Sequence, residues 1–158
     1  MAKGATAAPA KQLAGFIAKF SPAIARDARG ALTRIRRLVP AGAFRMVYDN
    51  YNGLVVGFGP NARPSDAIVS ILVVADHVTL CFINDAPSLP DPEGLLKGSG
   101  NVVRHVRLAS ARDLDRPAIL TLVKTAIARS DVPFPRRGPS PLIVKSISTK
   151  QRPRRKLS

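Results

Sequence analysis

The sequence predicts a single α+β domain, with a largely antiparallel sheet of about five strands and N- and C-terminal helices packed on one face. Three observations carry this. An amphipathic helical stretch comes early, four β-branched runs follow in two hairpin-spaced pairs with a fifth run after them, and a second helical stripe comes late. Strands grouped between helices, rather than alternating with them, argue against a doubly wound parallel sheet. The 158 residues, 46% hydrophobic, suffice for one domain with an ordinary core.

Residues 1–10 read as a disordered leader and 11–20 as a short first helix. Ser21 followed by Pro22 is an N-cap and first-turn signal for a stronger helix over 21–39. At about 100° per residue, Ile24, Ala28, Ala31, Leu32, Ile35 and Leu38 share one face, while Arg26, Arg29, Arg34, Arg36 and Arg37 occupy the opposite one. Pro40 and Gly42 end it. Runs 44–51 and 54–58 flank Asn52-Gly53, a dipeptide that tolerates positive φ and so marks a hairpin. Runs 66–74 and 77–84 meet at Ala75-Asp76 as a second hairpin. A long Pro/Gly loop leads to a fifth strand over 101–108. Asp115-Arg116-Pro117 then opens a helix reaching about residue 129, which places the domain at 11–130. Residues 131–158 form a basic Pro/Arg-rich tail in which 141–148 alternates like a strand. That strand is expected to pair with a sheet edge of this molecule or of a second copy, giving a homodimer, and the last ten residues are expected to be disordered.

The formal charge of +15 is unevenly spread. Residues 1–20 carry three lysines and no acid, and 136–158 carry eight basic residues and no acid. The span between them holds 14 basic and 10 acidic residues and is only mildly basic. The longest apolar run, 67–75, is too short to span a bilayer. The first residues lack the apolar centre of a secretory signal, and Cys81 has no second cysteine to pair with, so the expected location is cytoplasmic.

One segment carries a family resemblance. Asp91-Pro92, Gly94-Leu95-Leu96, Gly98, Gly100, Arg104-His105-Val106 and the helix start Leu114-Asp115-Arg116-Pro117 resemble the YdhG-like family of domains of unknown function, as does the strand 78–84. The likeness runs over about 16–129. It departs at Tyr48-Asp49-Asn50, where Tyr51 stands in place of the family's proline. The resemblance implies a small α+β fold and, through one branch of the family, a link to frataxin-like iron delivery.

No motif promises catalysis or a cofactor. The glycines of 94–100 lead into a strand, and Lys97 precedes Gly98, so they read as turns and not as a phosphate loop. His77 and His105 have no partnered nucleophile in sequence, and Cys81 reads as a packed thiol. An iron site needs clustered carboxylates, whereas the first long helix offers Asp27 among five arginines; no metal ligand is assigned. Alternation puts Arg104 on the apolar face of its strand with Val102, Val106 and Leu108, a costly place for an unpaired charge, with Asp91 or Glu93 as expected partners.

These readings converge on a non-enzymatic binding or accessory module for a small anionic ligand. Its expected site is Arg104 for the anion, Asp91 and Lys97 from the loop, and Tyr48 and Asn50 for polar contacts. The alternative is nucleic-acid binding through Arg26, Arg29, Arg36, Arg37, Arg152, Arg154 and Arg155. A frataxin-like iron chaperone is a second alternative, disfavoured by the basic charge.

Overall fold

The structure, a computed structural model, describes residues 2–156, with side chains described from residue 8. Helix α1 (Ala2–Ala18) begins nine residues ahead of the expected start, because the alanine-rich segment continues the helix through Pro9. The leader expected over 1–10 therefore falls within α1, apart from Met1, which lies outside the described residues. Helix α2 (Pro22–Leu38) starts as the sequence predicts: the Ser21 hydroxyl accepts from the Ile24 N–H at 3.4 Å, with Pro22 in the first turn. Its Ala25, Ala28, Ala31 and Ile35 are buried.

Strands β1 (Phe44–Asp49), β2 (Leu54–Gly59), β3 (Val69–Val74), β4 (His77–Phe82), β5 (Arg104–Leu108) and β6 (Leu142–Ile147) form one sheet in the order β5-β4-β3-β2-β1-β6. Helix α3 (Pro117–Ala128) follows β5. The sheet is mixed and six-stranded, not five-stranded: β6 joins the free edge of β1 in parallel, and every other pairing is antiparallel. The tail strand thus pairs within its own chain.

One cross-strand row, Val144, Val47, Val56, Ile71, Leu80 and Val106, lies on the helix side. It joins the α2 alanines and the buried face of α3, Ile119, Leu122, Val123 and Ala126, in one core. Small side chains on α2 let the helix approach the sheet closely, so large sheet residues fill the gap. Period-two alternation sends Met46, Tyr48, Ser70 and Cys81 to the opposite face.

The first hairpin exists, but not through the expected two-residue turn. Asp49 pairs with Leu54, the loop covers four residues, and the Asn50 N–H donates to the Gly53 carbonyl at 3.0 Å. Neither Asn52 nor Gly53 has positive φ. Gly53 is required for closeness instead: a Cβ there would stand 2.7 Å from the Val73 carbonyl. The second hairpin turns at Ala75-Asp76, with Val74 opposite His77, as expected.

The tail is the largest departure. Far from being disordered, it returns along the sheet: the Ser148 N–H donates to the Asp49 carbonyl at 2.8 Å and the Arg152 N–H to the Tyr51 carbonyl at 2.9 Å. Residues 157 and 158 lie outside the described residues.

Candidate functional site: two charges on strand β1

The five residues expected to form one site do not meet. Tyr48 and Asn50 belong to β1 and its turn, whereas Arg104 opens β5 and Asp91 and Lys97 precede it. Four strand spacings separate β1 from β5, roughly 19 Å. The Tyr48 hydroxyl donates to Met46 Sδ at 3.8 Å, and burial raises its pKa above the ordinary phenol value. Asn50 Oδ1 accepts from the Ser146 hydroxyl at 2.7 Å, tying the turn to β6.

Asp91 and Arg104 each serve the loop separately. The Asp91 carboxylate accepts from the Leu95 and Leu96 N–H groups, both at 2.8 Å, as a turn cap. Arg104 shares the helix-side face with Phe82 and Val106, as alternation predicts. Its guanidinium turns to the carbonyls of Gly100 and Val103, and no clasp with Asp91 or Glu93 forms. Lys97 pairs by two backbone hydrogen bonds with His105, so the loop shields part of the β5 edge. Gly94 and Gly98 have φ of 64° and 112°, the left-handed geometry that explains them without a phosphate.

The chemistry gathers instead around two residues of β1 on the helix-side face, Asp49 and Arg45, which pair with Leu54 and Phe58. Asp49 is 0% exposed. Arg154 Nη2 donates to its Oδ1 at 3.0 Å, and Oδ2 receives Gln151 Nε2 at 2.8 Å and Lys19 Nζ at 3.3 Å. Arg154 Nη2 also reaches the Asn50 carbonyl at 2.6 Å, and its guanidinium lies 5.7 Å from the centre of the Phe20 ring. A carboxylate so enclosed is stable because several charge-assisted hydrogen bonds replace its water. Arg154 is therefore internal, not an arm for a polyanion.

Arg45 differs in every respect. Its Nε donates to the Ser140 hydroxyl at 3.0 Å and its Nη2 to the Ser140 carbonyl at 2.7 Å, while that hydroxyl in turn donates to the Ala43 carbonyl. Among the described residues no carboxylate pairs with Arg45 or with Arg36, whose Nη1 donates to the Ala41 carbonyl at 3.2 Å. Burial, and then the like charge of Arg36, lower the Arg45 pKa from its ordinary value; the group remains cationic.

Arg36 and Arg45 both line a pocket of about 170 Å³ between α1, α2 and the sheet. Leu13, Leu32, Val56, Phe58 and Leu142 make its apolar walls. A larger hollow of about 230 Å³ near the end of α3 is lined by Asp66, Asp85 and Asp131 as well as Arg129, a poor setting for an anion.

The arginines of the polyanion alternative are divided. Arg26, Arg29 and Arg37 are exposed on α2, and Arg152 lies 5.6 Å from the centre of the Tyr51 ring. Arg155 Nε donates to the Lys19 carbonyl at 3.1 Å. Among the described residues no group of three His, Cys, Asp or Glu side chains is placed to hold a metal ion, and no helix is long and apolar enough to cross a membrane.

Arg45 was open to detection in sequence, since it alternates with Val47 and Asp49 on the core face of a run already read as a strand. Its setting was not: Ser140 and Leu142 arrive from the tail, about a hundred residues later. No protein-family model, curated protein or solved structure matches the chain.

Proposed function

We propose that the chain is a cytoplasmic, non-enzymatic binding module whose ligand is a small anion held by Arg36 and Arg45. The observation that carries this reading is a pair of guanidiniums without a carboxylate partner among the described residues, one of them half-buried, beside an apolar pocket. A partly desolvated charge answered only by neutral oxygens is a costly arrangement, and an incoming anion relieves it. An apolar pocket with a few convergent polar groups is also the usual form of a ligand site. The YdhG-like resemblance supports the α+β frame and supplies no activity. Melting the protein in a panel of small anions at constant ionic strength tests the reading. At least one anion raises the melting temperature of the wild type and leaves Arg45→Met unmoved; a panel with no shift refutes it.

A second reading, a nucleic-acid surface, draws on the groove of about 490 Å³ lined by Arg26, Asp27 and Arg34 of α2 and by Arg112. Asp115 already pairs with Arg34 at 3.1 Å, which weakens that groove for phosphates. Binding of this kind would fall steeply with salt and weaken in Arg26→Gln with Arg112→Gln.

A further inference from the structure

We infer that the Arg36–Arg45 pocket takes a monocarboxylate whose body is a single benzene-sized apolar group. The inference rests on the reading of this pocket as an anion site and adds what the anion is attached to. Size sets the first limit. The pocket holds about 170 Å³, close to the ~150 Å³ cavities that accommodate one benzene ring.

The walls set the second limit. Leu32 on α2, Val56 and Phe58 on β2 and Leu142 on β6 offer carbon, not hydrogen-bond donors. An inorganic oxyanion placed there would lose water against apolar surface and leave the walls unfilled. An apolar body attached to the charge gains from the same surface.

Donor accounting sets the third. Arg45 already spends Nε and one Nη2 contact on Ser140, and Arg36 directs Nη1 to Ala41. Arg45 retains its Nη1 N–H groups and Arg36 its Nε and Nη2 N–H groups. Through these remaining N–H groups each arginine can meet one oxygen of a carboxylate. Thr33 lines the same pocket and adds a hydroxyl.

Calorimetric titration of the full chain with benzoate, acetate, inorganic phosphate and benzyl alcohol at fixed ionic strength tests this. Benzoate is expected to bind at least about tenfold tighter than acetate or phosphate, the gain coming from ring burial. Benzyl alcohol, the same body without charge, is expected to bind at least about tenfold more weakly than benzoate. Arg36→Gln, a change at the surface end of the pair, should weaken benzoate severalfold while the unliganded protein stays folded with a melting temperature near that of wild type. Equal binding of acetate, phosphate and benzoate would overturn the apolar body and leave the anion site standing. Failure of all three anions to bind would overturn both. Benzoate binding that is matched by benzyl alcohol, or unchanged in Arg36→Gln and Arg45→Met alike, would show adventitious ring burial and overturn the inference.

Discussion

Asp49 and Arg45 lie on the same face of β1, four residues apart, and the chain around them treats the two charges differently. Asp49 is enclosed, with a cation on each carboxylate oxygen and a glutamine amide beside them. Arg45 is half-buried and, among the described residues, hydrogen-bonds only to the neutral oxygens of Ser140. Both arrangements are made by the same returning tail: Ser140 reaches Arg45 just before β6, and Gln151 and Arg154 reach Asp49 just after it. The difference teaches how to separate a structural charge from a receptive one. Burial alone does not do it. A charge whose counterions are tethered to the chain closes the fold, and a charge without one invites a counterion from outside.

Removing the enclosed charge should do the most damage. Asp49→Ala leaves Arg154, 7% exposed, buried without its counterion, and should cost about 3–5 kcal/mol in urea unfolding. It should also free the tail, seen as faster tryptic cutting after Lys150 and Arg154. Arg154→Met is the milder side of the same cluster, since Asp49 keeps Lys19 and Gln151. A cost of about 1.5–3 kcal/mol is expected from the lost charge-assisted hydrogen bonds. Equal losses from both variants would mean that Lys19 and Gln151 contribute nothing. Lys19 is 47% exposed, so its own share of the pairing is small.

Smaller still is Arg104→Ala. The guanidinium bonds only to carbonyls of its own loop, which leads to an expected loss of about 0.5–1.5 kcal/mol. A loss as large as that of Asp49→Ala would restore the idea of a paired Arg104. The slightest effect concerns Cys81, on the face away from the helices. Burial raises its thiol pKa above the ordinary value, with the Ser70 hydrogen bond opposing, so iodoacetamide should modify the native protein much more slowly than the urea-unfolded chain at neutral pH. The linked stability is fully present below the unfolded thiol pKa and declines as pH rises through it towards the folded one. Equal alkylation rates would show that packing on this face does not protect the thiol.

Local features of the fold were legible because their causes are local. Ser21-Pro22 starts α2 through one hydroxyl and one fixed φ, and alternation placed Arg104 beside Val106 correctly. The strand at 141–148 was visible in the same way, but its partner was not, because a pairing edge is a property of the assembled sheet. Asn52-Gly53 misled in detail: the dipeptide suggested positive φ, whereas Gly53 is needed for its closeness to β3. The expected site failed for a topological reason. Tyr48 and Asp91 look compatible in sequence, yet β2, β3 and β4 stand between their strands. The run of basic residues at 150–156 read as a solvated arm because its one buried acid, Asp49, lies about a hundred positions earlier.

Asp49 is structural, and Arg45 is proposed as the receptive charge. Urea unfolding of Arg45→Met and Asp49→Ala, side by side and without added anion, tests that distinction most directly. Arg45→Met gives up two hydrogen bonds to Ser140 and also removes a partly desolvated charge, so its stability should stay within about 1 kcal/mol of wild type. Asp49→Ala should lose about 3–5 kcal/mol. An Arg45→Met loss equal to that of Asp49→Ala would make Arg45 a second structural charge and contradict the account.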